Sequence, residues 1–394
     1  MARSFPAIWE KRNTLIKPSA NHSLLISLTK HDAQMAYTKI VIKIGTTTLA
    51  KDGRIDTDYI RKISEEISSL VKSGKQIVVV TSGAIGFGAM QLNYTQQRDV
   101  VMRQTLAAVG QRVLMNEYAQ AFSRQGMEVA QILLTYDIFS NRRTYLNLRN
   151  CINNLLKMGI VPIINENDVV SIDEIGTRFG DNDLLSSMVA TKLGADLLIM
   201  MTDIDGLYTT NPKTDDEARK ISIIETITPE IEDAAGKSES RFSVGGMKSK
   251  IRPAEMAMKS GCSVAIVHGR EKMVITRILN GENPGTLFVG KGKVSAKRRW
   301  LLSTKPRGAL IINECAEEVL RKGKSSLLPV GIERVEGTFR AGEVVRINGF
   351  ARGIAGFSSE DIESIRGMKS SDASKALNRK VKEVVSKENI VLDS

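Results

Sequence analysis

Histidine and cysteine are scarce in this chain of 394 residues, with three of each. His22, His31 and His268 are too few and too scattered to suggest a zinc centre or histidine-based catalysis, and His268, which follows an apolar run, reads as a loop residue. Cys151, Cys262 and Cys315 stand singly in apolar surroundings and read as buried thiols of a reducing cytosol rather than as disulfides or a metal cluster. No uninterrupted apolar run approaches the roughly 18 residues a membrane-spanning helix needs. The common nucleotide fingerprints are missing too. The residue before Lys248 is Met247 where a Walker A loop requires glycine, and Gly83-Ala84-Ile85-Gly86-Phe87-Gly88 carries its glycines in the reverse order of G-x-G-x-x-G.

What is present is an ordinary globular composition, 42% hydrophobic and 25% charged, long enough for two domains with cores of their own. The net charge is +12. From Lys297 onward there are 19 Lys and Arg against 13 Asp and Glu, an excess of six, so half of that charge lies in the last quarter of the chain. A solvated basic surface and contact with a polyanion both account for it.

Two segments some two hundred residues apart pair glycine with lysine and hydroxyls: Lys43-Ile44-Gly45-Thr46-Thr47-Thr48 and Ser243-Val244-Gly245-Gly246-Met247-Lys248-Ser249-Lys250. Glycine lets backbone N–H groups approach a phosphate, hydroxyls add donors, and lysine adds a compact positive charge. Two such segments point to phosphoryl transfer.

Along the chain four regions are expected. Residues 1–38 contain Pro6, Pro18 and one apolar run, Leu24 to Leu28, too short for a signal peptide, and read as a disordered extension of a cytoplasmic protein. From 39 to 290, strand-like runs (Ile40 to Ile44, Ile77 to Val80, Val129 to Leu134, Ile160 to Ile164, Leu197 to Met201, Val264 to Val267) alternate with amphipathic helical stretches. Asp56 or Thr57 starts one helix, and Gly74, Gly126 and Gly159 end three of them. That alternation predicts an α/β fold, a three-layer αβα sandwich around a mainly parallel sheet, with ligands at the carboxyl ends of its strands. Residues 291–299 read as a basic linker. Residues 300–394 read as a small β-rich module with strands at Ala309 to Asn313, Ser326 to Val330, Arg334 to Phe339, Glu343 to Asn348 and Ile354 to Phe357.

Polar clusters follow the strands: Lys43 to Thr47, Thr81 to Ala84, Asn165 to Asp168, Gly180 to Asp183 and Thr202 to Gly206. With this string and the glycine loop, the chain resembles the amino-acid kinase superfamily and, within it, the glutamate 5-kinase family, across residues 39 to 390. The tail, with Ser326-Leu327-Leu328-Pro329-Val330-Gly331-Ile332, is similar to a PUA domain, a small β-rich barrel. The resemblance implies ATP-dependent phosphorylation of the γ-carboxylate of L-glutamate, the first step of proline synthesis, with Mg²⁺ carried by the nucleotide and no dedicated protein metal site. It implies catalytic roles for Lys43, Lys250 and Asp183, and glutamate binding by Ser82, Asp168, Asn182 and Asp181. Gly45 and Gly83 would give N–H groups to phosphoryl oxygens. ATP would contact Lys43, Gly45, Thr202, Asp203, Val244, Gly245, Gly246, Met247, Lys248, Ser249 and Lys250. It further implies proline as feedback inhibitor, a homo-oligomer (dimer or tetramer), no membrane contact, and, as a second reading, weak RNA binding by the PUA domain. The glycine loop departs from the family's Gly-Thr-Gly-Gly-Met: Val244 has no hydroxyl, while Ser243 supplies one a residue earlier.

Overall fold

The computed structural model describes residues 37–94, 99–139, 141–170, 182–212, 214–237, 247–290, 292, 295–323 and 325–392. The extension, 1–36, with its expected disorder, lies outside them, as do Asp181, Val244, Gly245 and Gly246.

Eight strands build the central sheet: β1 (Lys39–Ile44), β2 (Gln76–Val80), β3 (Val129–Leu134), β4 (Val161–Glu166), β5 (Leu197–Thr202), β6 (Ile223–Ile224), β7 (Ser263–His268) and β8 (Thr286–Phe288). Their order is β6-β8-β7-β5-β1-β2-β4-β3. Every pairing is parallel except β7 with β8. The strands are β-branched and apolar on both faces because helices cover both. Val41, Val78, Val80, Leu198 and Met200 face a core completed by α5 (Arg142–Lys157), α6 (Asn182–Leu193) and α7 (Met247–Lys259). Ile40, Ile42, Ile77, Val79 and Ile199 face the opposite core, under α2 (Thr57–Lys72) and α4 (Val100–Ser123).

The helix boundaries follow local chemistry. The Asp56 side chain caps α2 by accepting from the Tyr59 amide, and Gly74, Gly126 and Gly159 follow helix ends in the left-handed conformation that glycine adopts without strain. The reversed glycine pattern at 83–88 has a packing explanation. Helix α3 (Ala84–Gln91) crosses α4 in backbone contact: a Cβ on Gly88 would lie 1.9 Å from the Leu106 carbonyl oxygen, and one on Gly110 1.8 Å from that of Ala84.

Several expectations need correction. Part of the stretch read as linker, 296–299, begins α8 (Ala296–Ser303), capped by Ser295; Trp300 and Leu301 are buried in the α5–α7 core, so this basic run is a docked helix. His268 is the last residue of β7 rather than a loop residue. Only Cys262 is buried; Cys151 and Cys315 are exposed, Cys151 next to the inward-facing Ile152.

The C-terminal region holds a five-stranded sheet of β9 (Gly308–Ile312), β10 (Ile332–Glu336), β11 (Val344–Ile347), β12 (Ala351–Ile354) and β13 (Ile390–Leu392), in the order β10-β9-β11-β12-β13. The expected strand at 326–330 is a single bridge, Leu327 to Val385, followed by a 3₁₀ turn at Pro329–Gly331, since proline offers no N–H to a ladder. Helices Glu314–Arg321, Ser359–Ile365 and Ser370–Ala376 complete the module around its own core. Among the described residues no helix is long and apolar enough to cross a membrane.

Candidate active site

The sheet reverses its winding between β1 and β5, and the crevice at that switch point opens at the strands' carboxyl ends. Side chains alternate along β1, so Lys43 lies on the same face as Val41, beneath α6. Helix α6 brings Asp183 onto it. One Asp183 oxygen is 2.7 Å from the Lys43 ammonium, and the other accepts from Lys250 Nζ, on the first turn of α7, at 2.9 Å. All three residues are buried. Burial alone would raise the Asp183 carboxyl, but the two ammonium groups outweigh it and hold it at about 2. One carboxylate therefore binds two lysines some two hundred residues apart in the chain and leaves the group one positive charge in excess.

A second network lies beside it. Asn182 Nδ2 donates to Ser82 Oγ at 2.9 Å and to Asn165 Oδ1 at 3.1 Å; Asn165 Nδ2 donates to Gln111 Oε1 at 2.8 Å. Two buried atoms of this network, Asn182 Oδ1 and Gln111 Nε2, have no hydrogen-bond partner among the described residues. A buried amide group left unpaired is costly, so this acceptor and this donor mark where a ligand would bond. Asp168 is buried close by. Its pKa is raised to about 7, first by burial and then by the charge of Glu166, with Arg103 of α4 opposing.

Some expected roles shift. The Gly45 N–H donates to the Met201 carbonyl at 3.2 Å, so it is not an amide available to phosphate. The one-turn helix α1 (Thr46–Leu49) begins there, and the amides of Thr46 and Thr47 are the ones it leaves unbonded within itself. A Cβ on Gly45 would sit 3.4 Å from Lys43 Nζ, at van der Waals contact with it. Gly83 is required for its backbone, at φ 100°, and a Cβ there would approach the Phe87 ring to 2.8 Å. At the end of β5, Thr202 Oγ1 bonds Asp203 Oδ1 at 2.9 Å, with Asp203 exposed at the crevice. Along α7, Met247 and Lys250 are buried, Ser249 is half-buried and Lys248 is exposed. Asp205 bonds Lys220 and Tyr208 and holds the loop after β5 together.

Sequence reading missed Gln111 and Arg103, both on the long α4, and did not assign Asn165 or Glu166 a role. The one available signal for Gln111 was its neighbour Gly110, a glycine in mid-helix.

Comparisons with known proteins agree with this architecture. Residues 38–268 match the Amino acid kinase family and residues 308–377 match the PUA domain. Glutamate 5-kinase from Methanosarcina mazei is 44% identical over 367 residues, 89% of this chain and 95% of that protein. Glutamate 5-kinase from Methanococcoides burtonii is 44% identical over 90% and 96% of the two chains, and that from Geobacter sp. strain M21 is 40% identical over 90% and 97%. Among solved structures, UMP kinase from Bacillus anthracis superposes with a TM-score of 0.45 at 17% identity, covering 66% of this chain and 98% of that one. The protein belongs to the amino acid kinase family, in the group of the glutamate 5-kinases that carry a PUA domain.

Proposed function

We propose that this protein transfers the γ-phosphoryl group of ATP to the γ-carboxylate of L-glutamate, and that Lys43 and Lys250 hold the two ends of that displacement. The observation that carries this reading is Asp183 bridging both lysines, at 2.7 and 2.9 Å, inside a buried site. A carboxylate nucleophile is already ionised, so no general base is needed. The difficulty is bringing an anion to an anionic phosphate chain, and fixed positive charge meets it. Lys43, next to the acceptor network, neutralises the attacking oxygen and the transferring group. Lys250 stabilises charge on the departing β,γ-bridge side. Asp183 aims both ammonium groups and holds them in place when no substrate is present.

Glutamate fits the second network. Asp168 pairs with its α-ammonium, and Ser82, Asn182 and the free Gln111 amide serve its carboxylate end. ATP lies along Thr202, Asp203 and the start of α7, including the loop before Met247. Among the described residues no group of three His, Cys, Asp or Glu could hold a metal ion. In this reading Mg²⁺ is bound by phosphate oxygens and water as it arrives with the nucleotide, and supplies further charge neutralisation. Proline, sharing an amino-acid backbone with glutamate, would compete for the same pocket as a feedback inhibitor. Five basic side chains of the tail, Arg321, Lys322, Arg334, Arg366 and Arg379, are each paired with a carboxylate. These five are less available to a polyanion such as RNA, and the tail's excess positive charge lies on its other Lys and Arg residues.

A coupled assay offering glutamate, aspartate, N-acetylglutamate and UMP tests the substrate; preference for any but glutamate rejects it. Lys43→Ala and Lys250→Ala should each lower kcat by about 10³-fold with the fold retained, and wild-type turnover in either rejects the mechanism.

A further inference from the structure

Helix α6, twelve residues long, begins at the candidate site with Asn182 and Asp183 and ends at Lys192 and Leu193. At 1.5 Å per residue it spans about 18 Å. All but one of its residues are buried, so it behaves as a rod fixed in the protein interior. Lys192 is 2% exposed. Its ammonium donates to the Trp300 carbonyl at 3.2 Å and to Thr304 Oγ1 at 2.8 Å, and lies 5.4 Å and 5.6 Å from the centres of the Tyr145 and Trp300 rings.

These contacts all belong to α8 and its exit, apart from Tyr145 of α5, whose hydroxyl donates to the Lys192 carbonyl at 2.8 Å. The Arg299 guanidinium covers Gly194, just past the end of α6, where a Cβ would lie 2.4 Å from it. From the C-terminal sheet, Arg352 on β12 donates to the carbonyls of Leu302 and Thr304 at 2.8 and 3.1 Å, which ties α8 to the C-terminal module. The contacts form one continuous line from β12 through α8 and Lys192 to α6 and the two site residues.

A lysine is an expensive choice for this position. Burial and the nearby Arg352 bring its pKa down to about 7, and an apolar side chain of equal length would pack there at lower cost. An expensive polar group in a core is best attested as a device that selects one register among several apolar packings.

We propose that Lys192 is a positioning residue: by bonding Trp300 and Thr304 it fixes the height and rotation of α6 against α8, and thereby sets Asn182 and Asp183 in the active site according to how the C-terminal module is docked. The proposal rests on the roles given to Asn182 and Asp183 above.

The test uses the full-length protein with Lys192→Met, which keeps the aliphatic length and removes the donors. The expected variant melts no lower than the wild type, yet its kcat falls by about tenfold and its glutamate KM rises several-fold, as for a site displaced by a fraction of an ångström. Its KM for ATP stays within about twofold, because Thr202, at the end of β5, and Asp203, just after it, are not carried by α6. A loss of folded protein alone would lower apparent kcat and leave glutamate KM unchanged, and that outcome overturns the proposal. Thr304→Val should show the same pattern more weakly, and the double variant should be no worse than Lys192→Met, since the two remove one contact. If Lys192→Met does not fold, Thr304→Val alone decides, and unchanged kcat and KM in it reject the proposal. Asp183→Asn is the control. An inactive Asp183→Asn beside a wild-type-like Lys192→Met rejects only the positioning role; an active Asp183→Asn rejects the catalytic reading and this proposal with it.

Discussion

Asp168 and Asp183 are two buried aspartates whose surroundings drive them apart, one to about 7 and the other to about 2. Both carboxyls are pushed up by burial, but Asp183 has two ammonium groups within bonding distance that outweigh it, whereas at Asp168 burial and the Glu166 charge outweigh the opposing Arg103. In the empty protein a raised carboxyl favours the fold while it stays protonated. That contribution is present below the unfolded pKa near 4 and is lost as pH rises through 7. Binding an α-ammonium runs the other way, because it needs the ionised form. The KM for glutamate should therefore rise as pH is lowered through 7 and level off above it, and steady-state kinetics between pH 5.5 and 8.5 should show a flattened dependence in Asp168→Asn. At this scale, the two lysine segments were legible because phosphate chemistry calls for glycine, hydroxyl and cation together in a short stretch, whereas Asp183 was implied only by the family resemblance. Gln111 was not legible, since a glutamine in the middle of a long helix looks like any solvated residue until the fold turns it inward. The Gly45 amide was misassigned because the sequence does not reveal that a neighbouring strand end already accepts its proton.

Among the elements, α3 and α4 depend on a contact with no room for a methyl group. Gly110→Ala should destabilise the protein by about 3 kcal/mol or more, measured by denaturant titration, and should raise glutamate KM in whatever folds, because residue 111 sits next to the displaced backbone. A neutral Gly110→Ala would mean that the two helices can separate freely. The strands and long helices of the sheet were readable from the sequence, since continuous β-branched runs and glycine stops are local signals. Helix α8 was not: its Lys-Arg-Arg run resembles a solvated linker, and only the burial of Trp300 and Leu301 shows that the run docks. The short helices of the C-terminal module escaped notice for a related reason. Segments of seven or eight residues are too short for a clear helical period, and tertiary packing decides their state.

At the scale of the whole molecule, the core under α5–α7 does not stop at the kinase sheet; Val344, Ile354 and Val391 of the C-terminal sheet join it beside Trp300 and Leu301. A shared apolar core couples the two units energetically. Calorimetry should accordingly show one cooperative unfolding transition, and two well-separated transitions would contradict the coupling. The parallel sheet and the β-rich tail were each predictable from pattern. Their joint core was not, because long-range packing leaves no periodic trace in either segment.

The Gly45 amide bonded to Met201, and the Gly269 amide bonded to the Thr202 carbonyl at 2.7 Å, join the ends of three neighbouring strands at the mouth of the crevice. Such a mouth cannot gape by peeling one strand end from the next. Although they lie at the rim of an open site, these two protons should exchange with deuterated water only through openings as rare as those of the central sheet, and residue-resolved exchange would show it. The rim of the proposed phosphate site is in this sense as slow to yield as the core, and in that reading substrates enter past the helices rather than through a breathing sheet.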